Sequence, residues 1–280
     1  MEKPIKRYFP IFVLPTMIAF TLGFIIPFVE GVYLSFCKFT TVNDAKFIGF
    51  ANYAKVFADE TFVHAFWYTA AFTVVSVILI NVLAFAVALL LTKGFKGTNI
   101  FRTVFFMPNL IGGIVLGYIW QLLLNGILMK FSRTLTYSST YGFWGLIILM
   151  CWQQIGYMMI IYIAGIQNIP GELIEAAEID GATKWQILKK VTIPMVMPSI
   201  TVCTFLTLTN SFKLFDQNLA LTNGEPSKMS ELLALNIFNT FYGRTGYEGV
   251  GQAKAVIFFI LVTVIALTQN YLTRRKEVQQ

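Results

Sequence analysis

The chain has 280 residues, of which 56% are hydrophobic and only 12% charged, with a mean hydropathy of +0.68. That composition excludes an ordinary soluble domain, which carries about twice as many charges, and six charge-free stretches of at least 19 residues are each long enough for a spanning helix. The net charge of +7 does not point to nucleic acid, because the basic residues gather in compact clusters beside apolar runs: Lys3/Lys6/Arg7, Lys93/Lys96/Arg102, Lys184/Lys189/Lys190 and Arg274/Arg275/Lys276.

In chain order the predicted spans are about 9–36, 66–92, 103–124, 142–165, 198–221 and 253–273, in one membrane domain covering 1–280. Six spans place all four basic clusters on one side, and the positive-inside rule assigns that side and both termini to the cytoplasm. Pro15 and Pro27 are expected to bend the first span, where bundle neighbours satisfy the freed backbone groups. The outer segment Phe47–Phe57 reads as an interfacial helix, with His64 also at a span edge. Gly112, Gly113 and Gly117 give the third span a small face for close packing.

The fourth span carries Gln153, Gln154 and Tyr157, the latter two sharing a helical face. Thr207, Asn210 and Ser211 share a face of the fifth by the same i, i+3 and i+4 rule. Polar groups are expensive inside a bilayer, so each face serves either a transported solute or hydrogen bonding between helices. Lys213 and Asp216, three residues apart, are expected to pair with each other. No Ser/His/Asp arrangement, HExxH or metal-ligand spacing occurs, and Gly94–Thr98 (GFKGT) has the wrong spacing for a phosphate loop. Cys37, Cys151 and Cys203 are scattered and read as packing residues.

Between the fourth and fifth spans lies a polar island, residues 168–194. Positions 172–190 hold seven charges, including Glu172, Glu175, Glu178 and Asp180, while the 38 residues before Glu172 hold none. Pro170 suits a first helical position, and Glu172 and Glu175 favour the positive end of a helix dipole. Gly181 interrupts the segment. Thr183 with Gln186 forms a capping box opening a second short helix, and Pro194 and Pro198 are expected to stop it. The pattern is helix, glycine turn, helix, outside the bilayer.

Glu175, Ala176, Ala177, Asp180, Gly181, Ala182 and Pro194 resemble the EAA motif of permease subunits in binding-protein-dependent ABC importers; Leu188, Val191 and Ile193 replace the motif's Phe, Ile and Leu. Phe47–Phe57 resembles the GLxNY element of sugar-type permeases through Gly49, Asn52 and Tyr53. Phe101–Trp120 is similar to the FRTxFFxP opening of their third span, and Thr209–Gly224 to their SFKxFD…LTxGGP segment, with GEP in place of GGP.

The resemblance covers most of the chain. It implies an all-α membrane protein of six transmembrane helices with the type I importer permease fold, of the maltose and glycerol-phosphate group, in a bacterial cell membrane. Glu175, Ala176, Ala177, Asp180, Gly181 and Ala182 would then belong to the cytoplasmic helix that couples to an ATPase. Helices flanking this loop line the pathway in that family, which makes Gln154, Tyr157, Thr207, Asn210 and Ser211 the substrate-pathway candidates, with Trp120 and Gln121 as further candidates for holding a sugar ring. The implied partners are a second homologous permease, two ATP-binding subunits, an extracellular or periplasmic solute-binding protein, a sugar substrate and membrane lipid, with no nucleic acid. No cofactor is expected on this chain; ATP and Mg belong to the ATPase. The rival reading, an ion-driven secondary transporter, calls for inverted repeats and broken helices at the midplane, and neither is visible in the sequence; an ABC permease for a non-sugar solute such as glycerol phosphate is the other alternative.

Overall fold

A bilayer offers the backbone no hydrogen-bond partners, so a spanning segment satisfies its own N–H and C=O groups as a helix. The computed structural model describes residues 2–94 and 96–274. Helix α1 (Glu2–Phe20) passes through a π-helical turn (Thr21–Ile25) into α2 (Ile26–Leu34). A short ribbon follows, β1 (Cys37–Lys38) antiparallel to β2 (Lys46–Phe47), then α3 (Ala51–Phe57) and α4 (Glu60–Leu91). The chain continues through α5 (Thr98–Phe106), α6 (Gly113–Leu128) and α7 (Ser139–Gln167). Next come α8 (Gly171–Ile179), α9 (Lys184–Ile187), α10 (Ile193–Met195) and α11 (Met197–Phe212). Helices α12 (Asp216–Leu221), α13 (Leu233–Gly243) and α14 (Glu248–Arg274) complete it. Arg275 and Lys276 of the last basic cluster lie outside the described residues.

Among the described residues, five helical stretches are long and apolar enough to cross a membrane: Tyr8–Leu34, Glu60–Leu91, Gly113–Phe131, Ser139–Gln167 and Glu248–Thr273. A sixth is the pair Lys184–Met195 and Met197–Phe212, bent by 69° at its break. Pro27 and Pro194 each stand second after a five-residue π-helical turn, Thr21–Ile25 in one case and Leu188–Thr192 in the other. A proline ring crowds the carbonyl four residues back and offers it no N–H; the wider π turn relieves both problems. Pro194 therefore does not stop the helix, contrary to the sequence expectation. The chain turns two residues later, at Val196 (φ −89°, ψ 0°).

The predicted third span is also divided. A 3-10 turn at Met107–Leu110, containing Pro108, and the extended Gly112 (φ −61°, ψ 140°) separate α5 from α6.

The chain forms two compact units, Met1–Glu60 with Ile237–Ile260, and Thr61–Asn236 with Leu261–Gln280. In the first, Asn52 donates to the carbonyls of Ser35 (2.9 Å) and Cys37 (2.8 Å), and the Tyr53 hydroxyl meets Ser35 Oγ at 2.7 Å. The Asn–Tyr pair thus pins the turn after α2. Lys254, wholly buried on α14, donates to Asp59 Oδ2 at 2.7 Å and Thr240 Oγ1 at 2.8 Å.

The second unit packs α4, α6, α7 and α11 around a continuous core that includes Phe72, Leu116, Leu149, Met158 and Cys203. Glycines let its helices approach closely. A Cβ on Gly117 would stand 2.5 Å from the Ala220 Cβ on α12, and one on Gly113 would stand 2.8 Å from the Asp216 Cβ. Gly112, by contrast, faces open space. Gly156 on α7 is the tightest of these sites, because a Cβ there would overlap the Phe105 carbonyl. We therefore expect Gly156→Leu to lower the melting temperature and yield of the purified protein, by an overpacking cost of at least about 1–3 kcal/mol. Gly126→Ala, which meets nothing within 4 Å, serves as the control and is expected to be neutral.

Candidate functional site

Two features stand out in the second unit, a polar loop and a cavity. The loop is the segment around α8 and α9. Helix α8 begins at Gly171 with Pro170 as its cap, one position later than the sequence suggested, and Glu172 lies in its first turn. It ends in a Schellman motif: Gly181 N–H bonds the Glu178 carbonyl at 3.0 Å and Ala182 N–H bonds the Ala177 carbonyl at 2.9 Å. This closure needs a left-handed residue at position 181, where φ is 76°, and glycine adopts that conformation without steric cost. Ala177 and Ala182 are thus the residues whose backbones join across the turn.

The capping box is also present. Thr183 Oγ1 accepts from Gln186 N–H at 3.3 Å, and Gln186 Oε1 accepts from Thr183 N–H at 2.7 Å. Glu175, Ala176 and Asp180 point to solvent. So do the apolar side chains of Leu173, Ile179 and Trp185, the last two 86% and 69% exposed.

The cavity, of about 270 Å³, lies where α11 gives way to α12. Gln154 and Met150 of α7, Asn210 of α11, Lys213, Leu214 and Phe215 of the break, and Asp216 and Gln217 of α12 line it. Asn210 Nδ2 reaches Gln154 Oε1 at 3.4 Å, and Gln217 Nε2 donates to Gln153 Oε1 at 2.8 Å. Lys213 and Asp216 do not pair, contrary to expectation. Lys213 closes α11 and Asp216 opens α12, so their spacing is not that of one helix, and both side chains are exposed at the cavity.

Of the five pathway candidates, the structure brings Gln154 and Asn210 together at the cavity. Thr207 and Ser211 are fully buried and turn elsewhere. The Thr207 hydroxyl donates to the Cys203 carbonyl at 2.7 Å and accepts from Asn81 Nδ2 at 3.4 Å, while Ser211 Oγ donates to the Thr207 carbonyl at 2.8 Å. Tyr157 packs its ring against Phe106, with centroids 6.4 Å apart. Trp120 meets the edge of Trp152, and Gln121 Nε2 donates to the Leu221 carbonyl at 3.0 Å. The sequence reading missed Asn81, whose Oδ1 accepts from the Tyr162 hydroxyl at 2.7 Å. The available signal was that Asn81 is an amide well inside the charge-free second span.

Residues 80–278 match the family model described as the inner membrane component of binding-protein-dependent transport systems. The chain belongs to that family. Its relatives include the probable starch degradation products transport system permease of Thermoanaerobacterium thermosulfurigenes, 42% identical over 96% of this chain and 94% of that one. The multiple sugar-binding transport system permease of Streptococcus mutans is 28% identical over 99% of both chains. The fold is similar to that of a bacterial ABC transporter involved in import of the acidic polysaccharide alginate, with TM-score 0.82, 23% identity and 98% coverage of each chain. This permease is a multi-pass inner-membrane subunit of a binding-protein-dependent importer with the type I importer fold.

In this permease the Asn81 side chain ties α4 to α7 and α11. Asn81→Leu leaves the Tyr162 hydroxyl without its acceptor and is expected to cost about 1–3 kcal/mol of stability, read as a lowered melting temperature. Asn210→Ala, which removes only a 3.4 Å contact at an open cavity, is expected to melt close to the parent.

Proposed function

We propose that this permease imports a carbohydrate, most readily an oligosaccharide from polysaccharide breakdown, and forms half of the translocation pathway beside a second homologous permease. Two ATP-binding subunits on separate chains hold ATP and Mg and hydrolyse the nucleotide, and a solute-binding protein delivers the sugar from outside. The names of the relatives support the substrate class. Both termini and the α8–α9 loop lie in the cytoplasm, a reading that rests on the distribution of Lys and Arg.

The observation that carries the coupling role is the exposure of Leu173, Ile179 and Trp185 on a compact, glycine-closed loop between two apolar runs. Large apolar side chains left exposed on a polar segment are candidates for contact with another protein. We assign this surface, with Glu175, Ala176, Ala177, Asp180, Gly181 and Ala182, to the groove of the ATPase, so that closure of the ATPases on ATP moves α8 and α9 and tilts the helices they join. Trp185→Ala combined with Ile179→Ser is expected to leave the melting temperature of the isolated permease unchanged. It is also expected to lower ATP-driven uptake by about tenfold or more, as loss of interface hot spots does. Unchanged uptake and unchanged co-purification of the ATPase would refute the assignment.

The pathway role falls to Gln154 and Asn210, whose amides offer donors and acceptors to sugar hydroxyls at the cavity. Thr207, Ser211 and Tyr157 support the surrounding helices. Gln154→Ala and Asn210→Ala are each expected to reduce uptake about three- to tenfold, the equivalent of one hydrogen bond, with complex assembly intact. Uptake and melting measured on the same preparation decide between contact and support.

A further inference from the structure

A second cavity, of about 420 Å³, opens where α4 ends, α5 begins and α7 ends, and its wall includes Thr92, Gly97, Asn99, Arg102 and Gln167. Its charge is one-sided. Among the described residues Arg102 makes one long bond, from Nη2 to the Leu91 carbonyl at 3.4 Å, and its buried Nε has no hydrogen-bond partner. The exposed Lys93 and Lys96 lie in the connection between α4 and α5, and no Asp or Glu occurs in the sequence between Glu60 and Glu172. Gly97, left-handed at φ 91°, opens α5 without a side chain to cap its first turn.

A partly buried guanidinium with an unused donor, in a cavity whose lining includes no carboxylate, calls for an external anion. Its planar fork matches the oxygens of a phosphate, and the start of a helix adds favourable N–H groups and dipole. The positive-inside assignment places the connection between the second and third predicted spans at the cytoplasmic surface, where basic pockets between helices hold lipid headgroups. We propose that this cavity binds a phosphate group, carried either by the headgroup of an anionic phospholipid or by a small soluble phosphate.

Gln167, the last residue of α7, lines the cavity three positions before Pro170, the cap of α8. An occupied site therefore holds the base of the α8–α9 loop and stiffens it. That consequence rests on the coupling role proposed above; the site itself does not.

The test titrates dihexanoyl phosphatidylglycerol, kept below its micelle concentration, and separately inorganic phosphate, into the detergent-solubilised transport complex while following its melting temperature. A ligand of the folded state raises that temperature saturably. The expected result is a saturable rise in the parent, with affinity reduced about tenfold or more in Arg102→Gln, as loss of a charge-assisted hydrogen bond implies, and reduced less in Arg102→Lys, which keeps the charge but not the fork. A rise with inorganic phosphate identifies a soluble phosphate as the ligand, and a rise confined to phosphatidylglycerol identifies the headgroup. Should Arg102→Gln fail to assemble, Asn99→Asp, which adds a carboxylate to the rim, is expected to abolish the rise. No saturable rise with either compound, or an equal rise in the parent and the charge-altering variants, overturns the proposal. Because neither uptake nor ATP hydrolysis is read, failure here leaves the coupling assignment standing.

Discussion

Hydrocarbon cannot hydrogen-bond, and that constraint shapes the interior of this permease more than any single contact. A polar group placed among apolar helices has to find its partner within the protein. The Asn81 amide does so by joining Val77, Thr207 and Tyr162, which draws α4, α7 and α11 together. Gln217 and Gln153 pass the same requirement along, Gln217 to Gln153 and Gln153 to the carbonyl of Ile111. Lys254 is the extreme case: a buried ammonium is tolerable only when paired and hydrogen-bonded, and Asp59 and Thr240 supply both. Such groups contribute little net stability, yet they specify which helix faces meet, because a wrong pairing would strand them.

The same constraint explains where the helices fail to be regular. Backbone irregularity at membrane depth persists where protein buries it or where it borders a cavity. Lys213–Phe215, between α11 and α12, borders the cavity of Gln154 and Asn210. The break between α5 and α6 is supported by α7, where Gly156 lets the Phe105 carbonyl come close. A widened turn absorbs the rings of Pro27 and Pro194, so the break in the second of these helices falls after Pro194, at Val196. Helix ends and glycine faces thus combine to place polar side chains where two spans leave room between them.

On the polar loop the logic is reversed, since water satisfies the backbone and the side chains are free to specify shape. The Asp180–Gly181–Ala182 run is legible as a helix terminus from chemistry alone: one left-handed position, filled by the residue that tolerates it, with two backbone hydrogen bonds closing around it. Thr183 and Gln186 satisfy each other through local bonds that depend only on spacing. Local interactions of this kind survive without tertiary context, so the helix, turn and helix could be read directly.

The sequence by itself determined the class, the apolar runs that become spans, the loop and its caps, because hydropathy and capping act over a few residues to a few turns of chain. It also marked Gln154 and Asn210 as polar positions on inward faces. Only the tertiary structure decided which polar residues face a cavity and which face one another: Thr207 and Ser211 carry the same spacing as Asn210, yet they turn into the packed interface with α4 and α7. Lys213 and Asp216 look like a helical pair until the backbone breaks between them. Helical periodicity assigns a residue to a face, but what lies opposite that face depends on distant helices: Thr207 meets Asn81, 126 positions away in the chain. That long-range pairing is what the one-dimensional pattern does not carry.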